Sequence, residues 1–479
     1  MKSLWSATCK IPVRKELNQN IQTDAVIIGG GMAGILTAYM LQKSGLKTVV
    51  LEAGRIGSGM TQNTTAKITS QHNLIYTDLL RQFGQEITAM YAAANQAAID
   101  EYQALIIDEQ INCHFERRPS YVYTLDNAGR LEKETSAAEK CGIPAEFTTS
   151  VTLPFPVRGA VKFSNQAQFH PLEFLSVLSQ KLQIYENTKA FEIEEKTVRT
   201  ENHTVTADFI ILACHFPFVN VPGYYFARMY QQRSYVLALS GVPQLDGMYI
   251  GADEKDYSFR SYENFILLGG SGHRTGQNQN GGSYENLKNA AASFYPASTL
   301  MYQWSAQDCI PLDGIPYIGQ FSSKTPNLFV ATGFQKWGMS SSMAAARLIS
   351  DLISKGDSPF KEVFTPQRFK ISASVQKLAE NSGKSVKGLF KGFFSIPDEQ
   401  LNQIPKGHGG IVEYEGEKVG IYKDENGEIF MVSVRCPHLG CELAWNPDEL
   451  SWDCPCHGSR FDYKGNLLNG PAMENLNTL

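Results

Sequence analysis

Apolar positions near the start of the chain predict a strand, a helix and a second strand in quick succession. The run from Asp24 to Ile28 fits a buried parallel strand, and residues 35–43 carry the spaced apolar positions of an amphipathic helix. A second apolar run at 46–51 predicts the next strand. The same patterns predict further strands at 121–123, 207–213, 234–240, 265–268 and 327–331, and long helices at 84–108 and about 338–353. This order predicts an α/β (α+β) fold in which a largely antiparallel sheet interrupts a parallel one.

A glycine-rich loop joins the first predicted strand to the first helix. It reads Gly29-Gly-Gly31-Met-Ala-Gly34, and the second strand ends at Glu52. Glycines permit a tight turn and a close approach of backbone N–H groups to a pyrophosphate, and the helix N-terminus adds its positive dipole end. Glu52 stands where a carboxylate can accept a hydrogen bond from a ribose hydroxyl. Together these features predict a dinucleotide site in a Rossmann-like domain; the alternative is a structural turn without a nucleotide.

Two cysteines and two histidines near the C-terminus stand at the spacing C-x-H-x15-C-x-x-H. They are Cys436, His438, Cys454 and His457. This is the donor set of a Rieske [2Fe–2S] cluster, in which thiolates hold one iron and neutral imidazoles hold the other. The alternative is a Cys2His2 zinc site, because Zn²⁺ accepts the same ligands tetrahedrally.

The residues around these four resemble those of the cytochrome bc-type Rieske proteins, with half-motifs C-P-H-L-G-C and C-P-C-H-G-S. The resemblance implies cluster ligation by Cys436, His438, Cys454 and His457, and a disulfide between Cys441 and Cys456. It also implies that Ser459 donates a hydrogen bond to a cluster sulfur. Phe461 stands where that family has a tyrosine that donates to a ligand cysteine. Because such bonds stabilise the reduced cluster, the loss of one implies a middling reduction potential.

Two other stretches resemble the FAD-contacting segments of the D-amino-acid oxidase superfamily, the group of glycine oxidase and sarcosine oxidase. They are residues 54–66, directly after Glu52, and the strand, glycine turn and helix start at 327–339. In that family the second helix faces the flavin pyrimidine edge, where positive potential suits the reduced flavin. Lys336 could strengthen this potential or could be a solvated lysine on a turn. The further FAD contacts that the resemblance implies are Ser58, Gly59, Thr61, Thr64, Thr65, Gly333, Lys336, Trp337, Gly338 and Met339.

The chain as a whole resembles the FAD-dependent oxidoreductases of that superfamily that carry a C-terminal Rieske domain. A second complete GxGxxG is absent, since Thr275 replaces the glycine that would complete the lookalike starting at Gly270. We therefore expect FAD as the single nucleotide, and no NAD(P)H domain of the kind that a ferredoxin or glutathione-type reductase needs. The predicted parts are an FAD-dependent oxidoreductase at 1–358, with an interposed antiparallel substrate domain at about 112–185 and 220–300, a connector at 359–404 and a small all-β Rieske domain at 405–479.

The sequence assigns no catalytic residue. His170 precedes Pro171, and we expect it to cap a helix rather than to contact the substrate. His215 and His273 are not assigned a role. Within the predicted substrate domain an arginine could clamp a carboxylate, with a surface ion pair as the alternative. The residues considered there are Arg228, Arg233, Tyr235 and Arg274.

Charge and cysteine usage bear on partners and location. Net charge is −5, but residues 411–479 hold five Lys+Arg against twelve Asp+Glu. An acidic electron-transfer module could dock on the near-neutral body or attract a basic redox partner. A basic stripe that would indicate nucleic-acid binding is absent, as are a signal peptide in residues 1–20 and an apolar run of the ~20 residues that span a bilayer. Five scattered cysteines are typical of free thiols in a reducing compartment, which predicts a cytoplasmic protein.

The connector carries apolar residues at helical spacing, interspersed with lysines, between about 374 and 394. We expect it to pack against the FAD domain. The alternative is an amphipathic helix on a membrane surface.

These indications lead to one functional hypothesis. A small amine or amino-acid-like substrate reduces FAD, FAD reduces the cluster, and an external carrier reoxidises it. The alternatives are an O2-using amine oxidase with a peripheral cluster, and a non-catalytic electron-transfer or redox-sensing protein. The direction of electron flow stays open at this point, because an external donor could also feed the flavin through the cluster.

Overall fold

The computed structural model describes residues 2–253, 257–368, 404–414 and 417–478. Its strands, numbered in chain order, are β1 Ile21–Ile28, β2 Thr48–Leu51, β3 Lys67–Ile68, β4 Glu116–Thr124, β5 Ala145–Thr148, β6 Gly159–Gln168, β7 Gln183–Tyr185, β8 Ala190–Glu194, β9 Thr197–Thr200, β10 Thr204–Leu212, β11 Met229–Ser240, β12 Met248–Gly251, β13 Ser258–Tyr262, β14 Phe265–Arg274, β15 Thr299–Pro311, β16 Tyr317–Gln320, β17 Leu328–Thr332, β18 His408–Tyr414, β19 Glu417–Lys423, β20 Ile429–Ser433, β21 Ala444–Asn446, β22 Ser451–Asp453, β23 Arg460–Asp462 and β24 Leu467–Asn469. Its α-helices are α1 Leu4–Thr8, α2 Met32–Lys43, α3 Met60–Asn63, α4 Tyr76–Asp108, α5 Gly129–Lys140, α6 Pro171–Leu178, α7 Ser283–Phe294, α8 Gly338–Lys355 and α9 Lys361–Phe364. Short 3-10 turns lie at Ser179–Lys181, Tyr225–Ala227 and Pro366–Arg368.

A mainly parallel sheet forms the centre of the N-terminal unit. Its strands follow the order β16-β17-β10-β1-β2-β7, with the β8–β9 hairpin attached to β10. β1 runs parallel to both β2 and β10, and β10 runs parallel to β17. Helices α2 and α8 pack against each other beside this sheet. Because parallel strands bring their carboxyl ends to one edge, the loops after β1, β2, β10 and β17 converge there.

The second sheet is built from strands inserted between those of the first. Its order is β15-β11-β14-β13-β12-β4-β6-β3, with β5 paired to β6. The neighbouring strands are antiparallel except β12 and β4, which run parallel. The predicted α/β (α+β) fold with an interposed, largely antiparallel sheet is therefore confirmed.

Helix α4 begins earlier than the predicted start at residue 84. Gly84 has φ 79°, outside the helical region, and kinks the element. The turn before it is capped from a distant part of the chain, since the carboxylate of Glu134 accepts hydrogen bonds from the main-chain N–H groups of Tyr76 (2.7 Å) and Thr77 (2.9 Å). A local pattern cannot reveal a cap that another helix supplies.

His170 caps α6 as predicted. Its ring accepts a hydrogen bond from the main-chain N–H of Glu173 at 3.2 Å, and Pro171 is the first helical residue. His170 is also fully buried against the rings of Trp5 and Tyr262. It is therefore a packing and capping residue.

The C-terminal domain is all-β in its described part. A sheet of β18, β19 and β20 lies beside a sheet of β21 to β24, and all neighbouring strands are antiparallel. Trp452 and Phe461 are fully buried in its core. Most of the predicted connector, including its helical spacing at 374–394, lies outside the described residues. Among the helices that the structure describes, none combines the length and apolarity that crossing a bilayer requires.

Candidate functional site

The loop after β1 packs closely against the other loops at the edge of the parallel sheet. Gly29 has φ 117°, and a Cβ there would overlap the main-chain oxygen of Ala213, just after β10. A Cβ on Gly34 would overlap the main-chain oxygen of Gly29. One oxygen of the Glu52 carboxylate accepts a hydrogen bond from Gly30 N–H at 2.6 Å, and the other accepts at 2.8 Å from the loop after β2. Burial raises the pKa of this carboxyl, and the two main-chain bonds oppose the rise.

A cavity of about 1740 Å³ opens where these loops meet. It extends from the Glu52 loop, past the start of α2, to the start of α8 and to the strands β11 and β15. Almost all of the residues predicted to contact FAD line it: Gly29, Gly31, Glu52, Ser58, Gly59, Thr61, Thr64, Thr65, Gly333, Lys336, Trp337, Gly338 and Met339. Gly34 is the exception. It lies beneath the loop and lets α2 approach β1, so its contribution to the cavity is indirect.

The cavity fits a flavin dinucleotide. Its volume exceeds the roughly 300–1,000 Å³ of common small-molecule pockets. Helices α2 and α8 both begin at its wall, where the positive end of a helix dipole favours anionic groups. Trp337 stacks on His72 with ring centroids 4.9 Å apart, so the wall at the start of α8 is firmly packed. Residues of the β1 loop would hold the pyrophosphate, Glu52 the ribose, and the start of α8 the flavin ring.

Lys67 is a cavity residue that the sequence reasoning missed. It lies on β3 and is 8% exposed. Burial, together with the nearby Arg260 guanidinium, lowers the pKa of the Lys67 amine to about 7. No ion pair of Lys67 is found within the part of the chain that the structure describes. The one sequence signal for it is a lysine between two apolar residues directly after the segment 54–66.

Asp308 is a second cavity residue that the sequence did not single out. It lies on β15, in the wall shared with Lys336. Burial raises the pKa of its carboxyl to about 6, although Lys336 and Arg233 oppose the rise. Lys336 itself is an exposed residue on a turn in this wall, and its positive charge acts on the Asp308 carboxyl.

Two short loops bring together the four C-terminal donors Cys436, His438, Cys454 and His457. In the first loop Cys436 N–H donates to Cys441 O at 2.8 Å, and in the second Cys454 N–H donates to Ser459 O at 2.8 Å. A disulfide between Cys441 and Cys456 joins the loops. The sulfur of Cys454 lies within 4.8 Å of both disulfide sulfurs, so the bridge braces the loops beside the donors.

These donors fit a [2Fe–2S] cluster. The rings of His438 and His457 have centroids 5.0 Å apart, and both Nδ1 atoms are buried without a hydrogen-bond partner among the described residues. Burial lowers the pKa of both imidazoles to about 4, which keeps them neutral and leaves a lone pair available. Cys436 and Cys454 are hydrogen-bonded to each other, and this bond is the main cause that lowers the pKa of Cys436 to about 7. Two hydrogen-bonded cysteines and two neighbouring neutral imidazoles are the donor types that a Rieske cluster takes.

Ser459 and Phe461 flank this site from β23 and the loop before it. Ser459 is fully buried, its Oγ accepts from Ala472 N–H at 2.9 Å, and its hydroxyl also hydrogen-bonds the Cys436 sulfur. Phe461 is buried in the apolar core and brings no hydroxyl. Of Ser459 and Phe461, Ser459 alone therefore has a side-chain hydroxyl that can hydrogen-bond a sulfur.

The C-terminal domain docks on the antiparallel sheet with its histidine loops inward. Gln231 Nε2 on β11 donates to His457 O at 2.7 Å, and Gln307 Nε2 on β15 donates to Gly458 O at 2.7 Å. Gly458 has φ 84°, and a Cβ there would overlap the Gln231 side chain. The close approach of sheet and loop therefore requires glycine.

Arg233 holds the two domains together in a buried ion pair, not in a surface one. Its side chain is 2% exposed and pairs with Glu449, which also pairs with Arg460 at 3.0 Å. The Arg233 Nε donates to Glu449 Oε2 at 2.9 Å. Burial by itself would raise the pKa of Glu449, but Arg460 and Arg233 outweigh it and lower that pKa to about 2. Of the other candidates considered, Arg228 donates to Pro366 O at 2.7 Å on the N-terminal unit.

Comparisons with known proteins agree with this geometry. The family model for FAD dependent oxidoreductases (DAO) matches residues 24–352, and the model for the Rieske [2Fe–2S] domain matches residues 395–479. The chain is 38% identical over 492 residues to YhfW of Bacillus subtilis strain 168, named as a Rieske 2Fe–2S iron–sulfur protein, covering 99% of this chain and 97% of that one.

Two solved structures share the fold of the N-terminal unit. Glycine oxidase from Geobacillus kaustophilus has a TM-score of 0.63 at 18% identity and covers 73% of this chain and 100% of its own. L-proline dehydrogenase from P. horikoshii has a TM-score of 0.61 at 16% identity and covers 73% of this chain and 98% of its own. At such identities the likeness shows a common fold only.

The two matched families indicate FAD and a [2Fe–2S] cluster as cofactors, and the Rieske match favours the cluster over a zinc site. An oxidoreductase activity follows from the first family. The chain belongs to the FAD-dependent oxidoreductase (DAO) family and carries a C-terminal Rieske [2Fe–2S] domain.

Proposed function

We propose that this protein is a dehydrogenase that oxidises a small amine or amino-acid-like substrate and passes electrons from the flavin to the Rieske cluster and on to an external acceptor. When bound, FAD accepts two electrons with a hydride, and the cluster accepts electrons one at a time. The family match supports the oxidoreductase part, whereas the substrate class, the acceptor and the direction of flow are what the proposal adds.

The position of strand β11 supports electron transfer from flavin to cluster within one chain. Gln231 points to the C-terminal domain and donates to His457 O, whereas its neighbours Tyr230 and Gln232 line the flavin cavity. The cavity is also lined by Glu449, Arg460 and residues 467–473 of the C-terminal domain, so both domains contribute to its wall. This arrangement supports a short route between the two centres.

The cavity also offers groups suited to an amine. Above about pH 7 the Lys67 amine is neutral and can take a proton from a substrate ammonium group, which exposes the nitrogen lone pair. Above about pH 6 Asp308 is a carboxylate that can accept a hydrogen bond from that nitrogen and orient it. The names of the two fold relatives mention glycine and L-proline, which supports small amino acids as the first substrates to try.

An anaerobic absorbance screen tests the proposal. Purified holoprotein is mixed with glycine, sarcosine, L-proline and other small amines, and the flavin and cluster bands are followed together. We expect one of these substrates to bleach the flavin first and the cluster afterwards. The Cys454→Ser variant removes a proposed ligand that does not itself line the cavity, and it should show flavin bleaching alone.

Two outcomes would contradict the proposal. Peroxide release in air at a rate that His457→Ala leaves unchanged would indicate an oxidase with a peripheral cluster. Reduction of the flavin by a protein donor and by none of the amines would indicate an electron-transfer or sensing protein.

Residue roles and organisation belong to the same proposal. We assign the cluster to Cys436, His438, Cys454 and His457, with Ser459 donating to a sulfur, and FAD to the cavity residues named above. The proposed parts are the oxidoreductase at 1–358, the connector at 359–404 and the Rieske domain at 405–479. A cytoplasmic location is supported by the free thiols of Cys9, Cys113, Cys141, Cys214 and Cys309.

A further inference from the structure

A loop of the flavin-binding unit covers the outer edges of both cluster-site histidines. It leaves the parallel sheet after β10 and reaches the C-terminal domain at Asn220, whose Oδ1 lies 3.1 Å from Nε2 of His438. Further along the loop the ring of Phe226 stands edge-on to His438 and to His457, with centroids 6.2 and 5.7 Å away. The flavin-binding unit, rather than the C-terminal domain, therefore supplies these contacts.

The loop is anchored to its own unit. The main-chain oxygen of Asn220 accepts from Tyr224 N–H at 2.8 Å, which closes a turn. Tyr225 follows, is 1% exposed, and donates its hydroxyl hydrogen to Phe321 O at 3.0 Å. The Arg228 guanidinium lies over the Tyr225 ring, 5.2 Å from its centroid. Asn220 is therefore presented to His438 from a firmly held support.

We propose that Asn220 is a positioning residue for the cluster: its amide oxygen accepts the Nε2–H of His438 and thereby lowers the reduction potential of the cluster. The proposal rests on the ligand role proposed above for His438. With Nε2 carrying the proton, Nδ1 is the nitrogen left to bind iron, and it is the buried atom without a partner among the described residues. A hydrogen bond accepted from the outer nitrogen makes an imidazole a stronger donor through the inner one.

The direction of the effect follows from this donor strength. A stronger donor stabilises the oxidised iron more than the reduced iron, so the bond shifts the potential to more negative values. The contact lies between domains, so docking on the flavin-binding unit is itself part of what sets the potential. Phe226 adds an apolar cover that limits water at the two rings.

Redox titration of the full-length holoprotein tests the inference. The cluster signal is followed by EPR at one fixed pH in wild type, Asn220→Leu and Asn220→Asp. Leucine has a similar size and cannot accept the bond, so we expect a more positive potential. Aspartate accepts more strongly, so we expect a more negative one. The control is Asn278→Leu, because Asn278 Nδ2 also bonds the C-terminal domain, at Asp448 Oδ2 (2.8 Å), without touching a proposed ligand.

The outcomes separate this inference from the proposals beneath it. Opposite shifts in the two Asn220 variants, with the control at the wild-type potential, support it. An unchanged potential in Asn220→Leu, or shifts of equal sign in both variants, overturns it while leaving the electron relay intact. Should one variant fail to incorporate the cluster, the sign of the shift in the other decides. A wild-type holoprotein without a Rieske EPR signal would instead refute the ligand assignment.

Discussion

The side-chain nitrogen of Gln231 lies 2.7 Å from the main-chain oxygen of His457 and donates to it, although 226 residues separate the two in sequence. Gln231 belongs to a strand that lines the flavin cavity, and His457 is a proposed cluster ligand. The same amide also donates to Gly470 O at 3.0 Å. One side chain thus ties two loops of the C-terminal domain to the wall of the cavity.

Replacing Gln231 by leucine should slow electron transfer from flavin to cluster. The variant loses both hydrogen bonds, each worth roughly 1 kcal/mol, so the docked arrangement weakens by about 10- to 30-fold. Rapid-mixing absorbance measures the transfer step after substrate has reduced the flavin. Gln183→Leu, on the far edge strand β7, serves as the control and should match wild type. An unaltered transfer rate in Gln231→Leu would show that this contact does not govern the relay.

Replacing Glu449 by glutamine should destabilise the docked protein strongly. The change leaves the buried Arg233 and Arg460 without their shared carboxylate, and breaking a buried pair costs about 3–5 kcal/mol. Glu442→Gln is the matched control, because the Lys418–Glu442 pair is exposed and should cost less than about 1 kcal/mol. Denaturant unfolding of both variants measures the difference. Equal costs would contradict a structural role for the buried pair.

The Glu449 carboxylate also makes the unfolding free energy depend on pH, with less stability at low pH. Its pKa in the folded protein is lowered from 4.5 to about 2. Between these two pH values the folded state therefore binds fewer protons than the unfolded state. Its contribution is fully present above about pH 4.5 and is lost as the pH falls towards 2. Comparing wild type with Glu449→Gln across this range should show the gap in unfolding free energy closing as the pH falls. A constant gap would count against the assignment.

Replacing Gly34 by alanine should abolish FAD retention. The new Cβ would overlap the main-chain oxygen of Gly29 and push α2 away from β1, which distorts the loop at the cavity. Flavin content after purification and desalting measures the effect. Gly410→Ala on β18 is the control, because the nearest atom to a Cβ there is 4.0 Å away. Full flavin content in Gly34→Ala would refute the close packing of this loop.

The lowered pKa of Lys67 leads us to expect that the rate of flavin reduction depends on pH. Burial and the Arg260 guanidinium lower the pKa of its amine to about 7. The neutral form, which accepts a proton, therefore accumulates above that pH. The rate of flavin reduction by an amine should therefore rise through about pH 7. Lys67→Met should remove this step and slow the reaction by roughly 10²-fold at higher pH. Lys162→Met changes a half-buried lysine that pairs with Glu146 outside the cavity, and it should keep the wild-type profile. A step that persists in Lys67→Met would assign it to another group.

The local motifs were readable from the sequence, whereas the contacts between domains were not. The glycine loop and the cysteine and histidine half-motifs each lie within a few residues of one another, so spacing alone brings their groups together. Arg233 and Asn220 meet partners more than 200 residues away, and a sequence that places an arginine on a strand does not show what covers that strand. The early start of α4 depends on Glu134 for the same reason. No sequence motif marks Lys67, because its lowered pKa arises from burial in the folded cavity.

The most direct test of the relay is a single-turnover experiment without oxygen. Oxidised holoprotein is mixed with one equivalent of a substrate that reduces the flavin, frozen at successive times, and examined by EPR. We expect a reduced Rieske signal that grows as the fully reduced flavin declines, at a rate independent of protein concentration. A cluster that stays oxidised while the flavin remains reduced, or one whose reduction rate rises with protein concentration, would contradict transfer within the chain.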